Sequence, residues 1–197
     1  MPPIKYVIVA GNIGTGKTTA VQQVSLRLEK AAAFYEERDV YLSRFYSDPA
    51  RYAFMNQLAY SLQYLSQAAH ILKCEEIVIQ DRSIYDTHEV FSRMRFEEGL
   101  IKNEEFLLLK RIYDSCHLMT QPSLLVMLDA SVEVVHRRFE ARAHELEQGL
   151  TKELLHRLRD RYLAWYSSFD LCAKILIRTD DEPPQTVAES IIRTVNG

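Results

Sequence analysis

The apolar run Tyr6-Val7-Ile8-Val9-Ala10 leads directly into Gly11-Asn12-Ile13-Gly14-Thr15-Gly16-Lys17-Thr18, a complete G-x-x-x-x-G-K-[ST] loop. A strand, a glycine-rich turn and a helix opening near Lys17 aim successive backbone N–H groups and a helix N-terminus at one point. Such a nest suits a polyphosphate. In this arrangement Lys17 reaches the β- and γ-phosphates and Thr18 offers its hydroxyl to Mg²⁺. Gly11, Asn12, Ile13, Gly14, Thr15, Gly16, Lys17, Thr18 and Thr19 are therefore the candidate nucleotide-binding residues. The loop alone leaves the destination of the phosphate open: water, a protein or a small molecule.

The rest of the chain repeats the alternation that the loop begins. Apolar segments over 5–10, 32–36, 76–81, 124–129 and 174–179 predict five strands, and the near-continuous apolarity of the third and fourth predicts burial on both faces. Helices are predicted over 17–30, from Asp48-Pro49 to about residue 73, from near Asp86, from an Asn103 cap to about 117, and from Thr151 to about 166. Pro183-Pro184 separates the fifth strand from a short C-terminal helix. The expected fold class is α/β: a doubly wound, five-stranded parallel sheet flanked by helices, in one domain over 1–197.

With 197 residues and 47% hydrophobic content, the chain suffices for one well-buried core. The formal net charge of −3 argues against general binding to nucleic acid or anionic membranes. Cys74, Cys116 and Cys172 lack metal-ligand spacing and fit a reduced, cytoplasmic protein. No run approaches a membrane span, and the ten residues before the loop are too few for a leader.

The third strand ends in Asp81, followed by Arg82. A carboxylate at that strand end is placed to hold Mg²⁺, and Arg82 to sit over the transferred phosphoryl group. Asp129, ending the fourth strand, competes for the metal; with no adjoining arginine it reads as a solvated strand-end aspartate. Arg138 and Arg142, on one helical face, predict an arginine-bearing lid over about 138–149 that closes on the γ-phosphate and excludes water.

Phosphate loop, Glu36, Tyr46, Gln57, Asp81-Arg82-Ser83, Phe91 and the arginine lid together resemble the deoxynucleoside kinase family over roughly residues 4–166. The resemblance implies a P-loop kinase fold and transfer of the γ-phosphate of ATP, with Mg²⁺, to the 5′-hydroxyl of a deoxynucleoside in nucleotide salvage. It also implies a homodimer. In these terms Glu36 is the base, with Arg82, Lys17, Arg138 and Arg142 catalytic beside it. Gln57 reads the nucleobase edge and Phe91 stacks on it. Tyr46 and Glu147 hold the sugar 3′-hydroxyl, and Tyr64 and Thr87 stand where relatives carry an Arg and Asp pair. That replacement leans towards thymidine and deoxycytidine. Glu36-Glu37-Arg38 departs from the family's Glu-Pro, so Glu37 is an alternative base. A thymidylate-type monophosphate kinase and a nucleotide-dependent switch module are the competing readings.

Overall fold

A computed structural model describes residues 5–142 and 150–197, without the side chains of 141 and 142. Five strands form one parallel sheet: β1 (Tyr6–Gly11), β2 (Ala31–Phe34), β3 (Ile77–Asp81), β4 (Leu124–Asp129) and β5 (Ala173–Arg178), in the order β2-β3-β1-β4-β5. Every residue of β1 and β4 is buried, as the apolar runs 6–10 and 124–128 demand of all but their last positions. The edge strands differ: β2 is Ala-Ala-Ala-Phe and only half-buried, and β5 is half-buried or exposed throughout. Order and register bring the C-terminal ends of β1 and β3 side by side, pairing Val9 with Asp81.

The chain falls into two compact units. Of the described residues, the first comprises 5–35, 74–82, 122–142 and 150–197, and the second comprises 36–73 and 83–121. In the first unit, helix α1 (Lys17–Ser25) contributes Ala20, Val21 and Val24 to a core with Val7, Val9, Ile79 and Val126. The predicted extension of α1 to residue 30 does not form. Arg27 N–H bonds to the Val24 carbonyl, tightening the last turn, and Lys30 adopts φ 55° to reverse the chain into β2. Helix α9 (Pro184–Asn196) completes this core with Val187, Ala188 and Ile191.

The second unit holds α2 (Tyr41–Ser47), a helix absent from the sequence reading, and α3 (Pro49–Ile71). Asp48 caps α3 as expected, accepting from Arg51 N–H at 3.2 Å with proline at the first turn. The helix predicted from Asp86 begins earlier. Ser83 is its cap, and Asp86 is the acid that closes back on the Ser83 N–H at 2.7 Å. After α4 (Ile84–Asp86) the chain widens into a π-helical segment, Thr87–Ser92, and returns to α5 (Arg93–Glu97). Helix α6 (Asn103–Met119) starts one residue before its expected position: Asn103 is helical, Lys102 is the cap, and the Glu105 carboxylate accepts from the Lys102 N–H.

His88, in the π-helical segment, is buried between Phe106 and Tyr113, with ring centroids at 5.0 and 4.8 Å. Burial pushes its pKa down to about 4; Glu89 opposes the shift, Arg93 and Lys110 reinforce it, and Asp114 opposes it. Native His88 thus stays neutral where the unfolded imidazole takes up a proton. Its contribution to stability is full above pH 6.5 and is lost as pH falls toward 4. Thermal melts are expected to show a smaller loss of Tm across that window in His88→Phe than in wild type; equal losses would count against this assignment.

Candidate active site

The phosphate loop is held open by bonds to its own carbonyls. The Asn12 carbonyl accepts from Lys17 Nζ at 2.7 Å and from Thr15 Oγ1 at 2.9 Å. The Gly14 carbonyl accepts from Arg138 Nη1 at 3.3 Å, and the Thr15 carbonyl from Thr179 Oγ1 at 3.1 Å. Asn12 spans the loop's other side, its side-chain oxygen accepting from Ile13 N–H and its amide donating to the Leu155 carbonyl. Gly11 is required by contact: a Cβ there would lie 2.2 Å from the Leu128 carbonyl oxygen. Gly16 adopts φ 93° to open α1, a conformation that side chains resist. Thr19 lies half-buried in the first turn of α1.

Thr18 Oγ1 donates to Asp81 Oδ2 at 2.5 Å, joining the loop to the end of β3. A hydroxyl and a carboxylate at this spacing are hard oxygen donors that would fit Mg²⁺. Arg82 follows at φ 61°, an unusual conformation for a non-glycine residue. Its N–H bonds to the Val9 carbonyl at 3.0 Å and its Nη1 to the buried Tyr162 hydroxyl at 2.5 Å. Tyr162 comes from α8 (Lys152–Ser168), which Thr151 caps as expected. Sequence reading missed Tyr162; its signal was a tyrosine in the stripe Leu155, Leu158, Tyr162, Trp165.

Asp129 is not solvated. It is 1% exposed, and Arg159 grips it with Nε–Oδ1 at 2.7 Å and Nη2–Oδ2 at 2.8 Å, while Arg178 Nη1 bonds to Oδ2. Burial alone would raise its pKa, but the hydrogen bonds and charges of the two arginines together hold it below the usual carboxylate value. The expected solvated aspartate is therefore corrected: its arginines come from α8 and β5, 30 and 49 residues away.

Arg138 lies in α7 (Val132–Arg142), bonded to the carbonyls of Gly14, Thr179 and Asp180. Residues 143–149 of the expected lid, including Glu147, and the Arg142 side chain lie outside the described residues.

The second unit carries the other predicted residues. β2 ends at Phe34, so Glu36 stands two residues beyond the strand that it was expected to end: pairing with β3 stops at Phe34 and Gln80. Glu36 Oε2 accepts from the Tyr64 hydroxyl at 2.8 Å, and Tyr64 is 1% exposed. Glu37 is exposed, with its backbone N–H bonded to Gln63 Oε1 at 3.3 Å. Gln57 is 5% exposed: its Nε2 donates to Asn56 Oδ1 and its Oε1 accepts from Ser92 Oγ, both at 3.1 Å. Thr87 is buried, and Phe91 is half-buried in the same π-helical segment. Tyr46 lies half-buried in α2 with its ring 5.5 Å from Phe45.

A phosphate loop between β1 and α1, with Asp81 closing the adjacent parallel strand, defines a P-loop kinase fold. The sequence model of the deoxynucleoside kinase family matches residues 7–197, and the chain belongs to that family of ATP-dependent phosphotransferases. It is 26% identical over 186 residues to a deoxyadenosine/deoxycytidine kinase of Bacillus subtilis (strain 168), covering 92% of this chain and 85% of that protein. A deoxyadenosine kinase of Dictyostelium discoideum is 30% identical over 159 residues, 80% of this chain and 64% of its own length. Among solved structures, deoxyadenosine kinase from M. mycoides with products dCMP and a flexible dCDP bound superposes with a TM-score of 0.82 at 18% identity. That likeness covers 97% of this chain and 98% of the other. Among the described residues no helix is long and apolar enough to cross a membrane.

Proposed function

We propose that this protein transfers the γ-phosphate of ATP to the 5′-hydroxyl of several deoxynucleosides, deoxyadenosine and deoxycytidine foremost, in nucleotide salvage. The names of its relatives support these acceptors, and none of those cited is a thymidine kinase. Thymidine, towards which the sequence leans, stays among the acceptors to be tried. Gln57 carries the reading. Its buried amide commits one N–H and one oxygen lone pair to protein, which leaves one donor and one acceptor for a base edge. A glutamine with no ligand would more simply face solvent.

In this reading the loop holds the phosphates, and Thr18 and Asp81 would hold Mg²⁺, which would supply charge to offset that of the phosphates. Arg82, oriented by Tyr162, and Arg142 supply positive charge, while Arg138 acts through the loop it braces. Glu36 orients the 5′-hydroxyl and accepts its proton. Phe91 stacks on the base, and Tyr46 and Glu147 hold the 3′-hydroxyl. Tyr64, expected beside the base with Thr87, works through Glu36. The protein acts as a homodimer in a single cytoplasmic domain.

A coupled assay of ATP consumption tests the function. Deoxyadenosine and deoxycytidine are expected to stimulate turnover, whereas thymidine monophosphate is not. Turnover with the monophosphate alone would support a thymidylate-type kinase, and no stimulation by any acceptor would support a nucleotide-binding switch.

A further inference from the structure

Asn56, Gln57 and Ser92 form a short hydrogen-bonded chain inside one compact unit. Ser92 donates to Gln57, Gln57 donates to Asn56, and there the chain stops. Asn56 is 3% exposed, yet its Nδ2 has no hydrogen-bond partner among the described residues. A buried amide N–H left in this state is costly and calls for a reason.

The reason lies in the symmetry of the three groups. A serine hydroxyl donates or accepts equally well, and an amide turned by 180° exchanges N–H₂ for C=O at nearly constant shape. Turning both amides gives a second chain, in which Asn56 Nδ2 donates to Gln57 Oε1 and Gln57 Nε2 donates to Ser92 Oγ. Both hydrogen bonds survive. The Asn56 oxygen then takes the place of the orphaned nitrogen. No acceptor among the described residues holds Asn56 Nδ2 in the first direction.

The two directions differ at the free positions of Gln57. In each, one N–H and one lone pair remain, but they exchange places. Base edges come in the same two polarities. Adenine and cytosine set an amino donor beside a ring-nitrogen acceptor; guanine and thymine set a carbonyl acceptor beside a ring N–H. A glutamine fixed in one direction would meet the wrong polarity donor to donor, a mismatch that polar sites reject by about 10⁴-fold.

We infer that Asn56 and Ser92 are specificity-determining residues: by leaving the Gln57 amide reversible, they let one pocket read both edge polarities. This rests on Gln57 reading the base as proposed above. Neither residue stood out in the sequence, because serine and asparagine in helices are ordinary and only their contact with Gln57 gives them meaning.

Two comparisons test the inference, each within a pair of equal size: deoxyadenosine against deoxyguanosine, and deoxycytidine against thymidine. The wild-type protein is expected to give kcat/KM values within about a hundredfold inside at least one pair. A preference beyond about 10⁴-fold inside both pairs would mean a fixed amide and overturns the inference without any variant. Asn56→Asp presents only acceptors while ionised, which holds Gln57 Nε2 toward position 56. It is expected to shift the ratio inside a pair by at least about tenfold, through loss of one polarity alone. A folded Asn56→Asp protein that loses both members equally would show Asn56 to be merely structural. No turnover with any deoxynucleoside in wild type would instead overturn the functional reading itself, and this inference with it.

Discussion

Lys17→Ala is expected to leave a folded protein whose kcat is at least ~10²–10³-fold lower with every acceptor. Lys17 is buried at the start of α1, and its ammonium rests 2.7 Å from the Asn12 carbonyl, inside the glycine-rich loop. No other cation side chain belongs to the G-x-x-x-x-G-K-T sequence, so alanine removes the loop's own positive charge. Folding is expected to survive, because Thr15 still bonds to the Asn12 carbonyl, Arg138 to Gly14 and Thr179 to Thr15. The measurement is the coupled assay with thermal melts on the same samples. A folded variant within tenfold of wild type would contradict the assignment.

The second large effect separates adjacent carboxylates. Glu36→Gln is expected to lower kcat by ~10²–10⁴-fold while KM for the nucleoside changes little, as for loss of a general base. Glutamine keeps an oxygen able to accept from the Tyr64 hydroxyl, so the fall reports chemistry and not misplacement. Glu37→Gln should remain near wild type, since Glu37 is exposed. The opposite ranking in steady-state kinetics would move the base by one residue.

Much of this architecture was legible because its signals are local. Consecutive apolar residues in β1 and β4 specify strands buried on both faces, and Asp48-Pro49 and Thr151 specify helix starts within three residues of themselves. The phosphate loop is equally local. Asp129 shows the limit: its arginines lie in elements that only the folded sheet brings to it. Tyr64 fails in the same way, because its hydroxyl meets a carboxylate 28 residues earlier. The π-helical segment has a further cause. One widened turn leaves no periodic mark in six residues, so Thr87–Ser92 reads as ordinary helix. The role of Ser92 was hidden with it.

The carbonyls of Asn12, Gly14, Thr15 and Gly16 all accept hydrogen bonds from protein groups. A loop backbone tied at four points has little conformational entropy left to lose on binding a ligand. Nucleotide association should then be set by diffusion and charge and not by the waiting time for a competent loop.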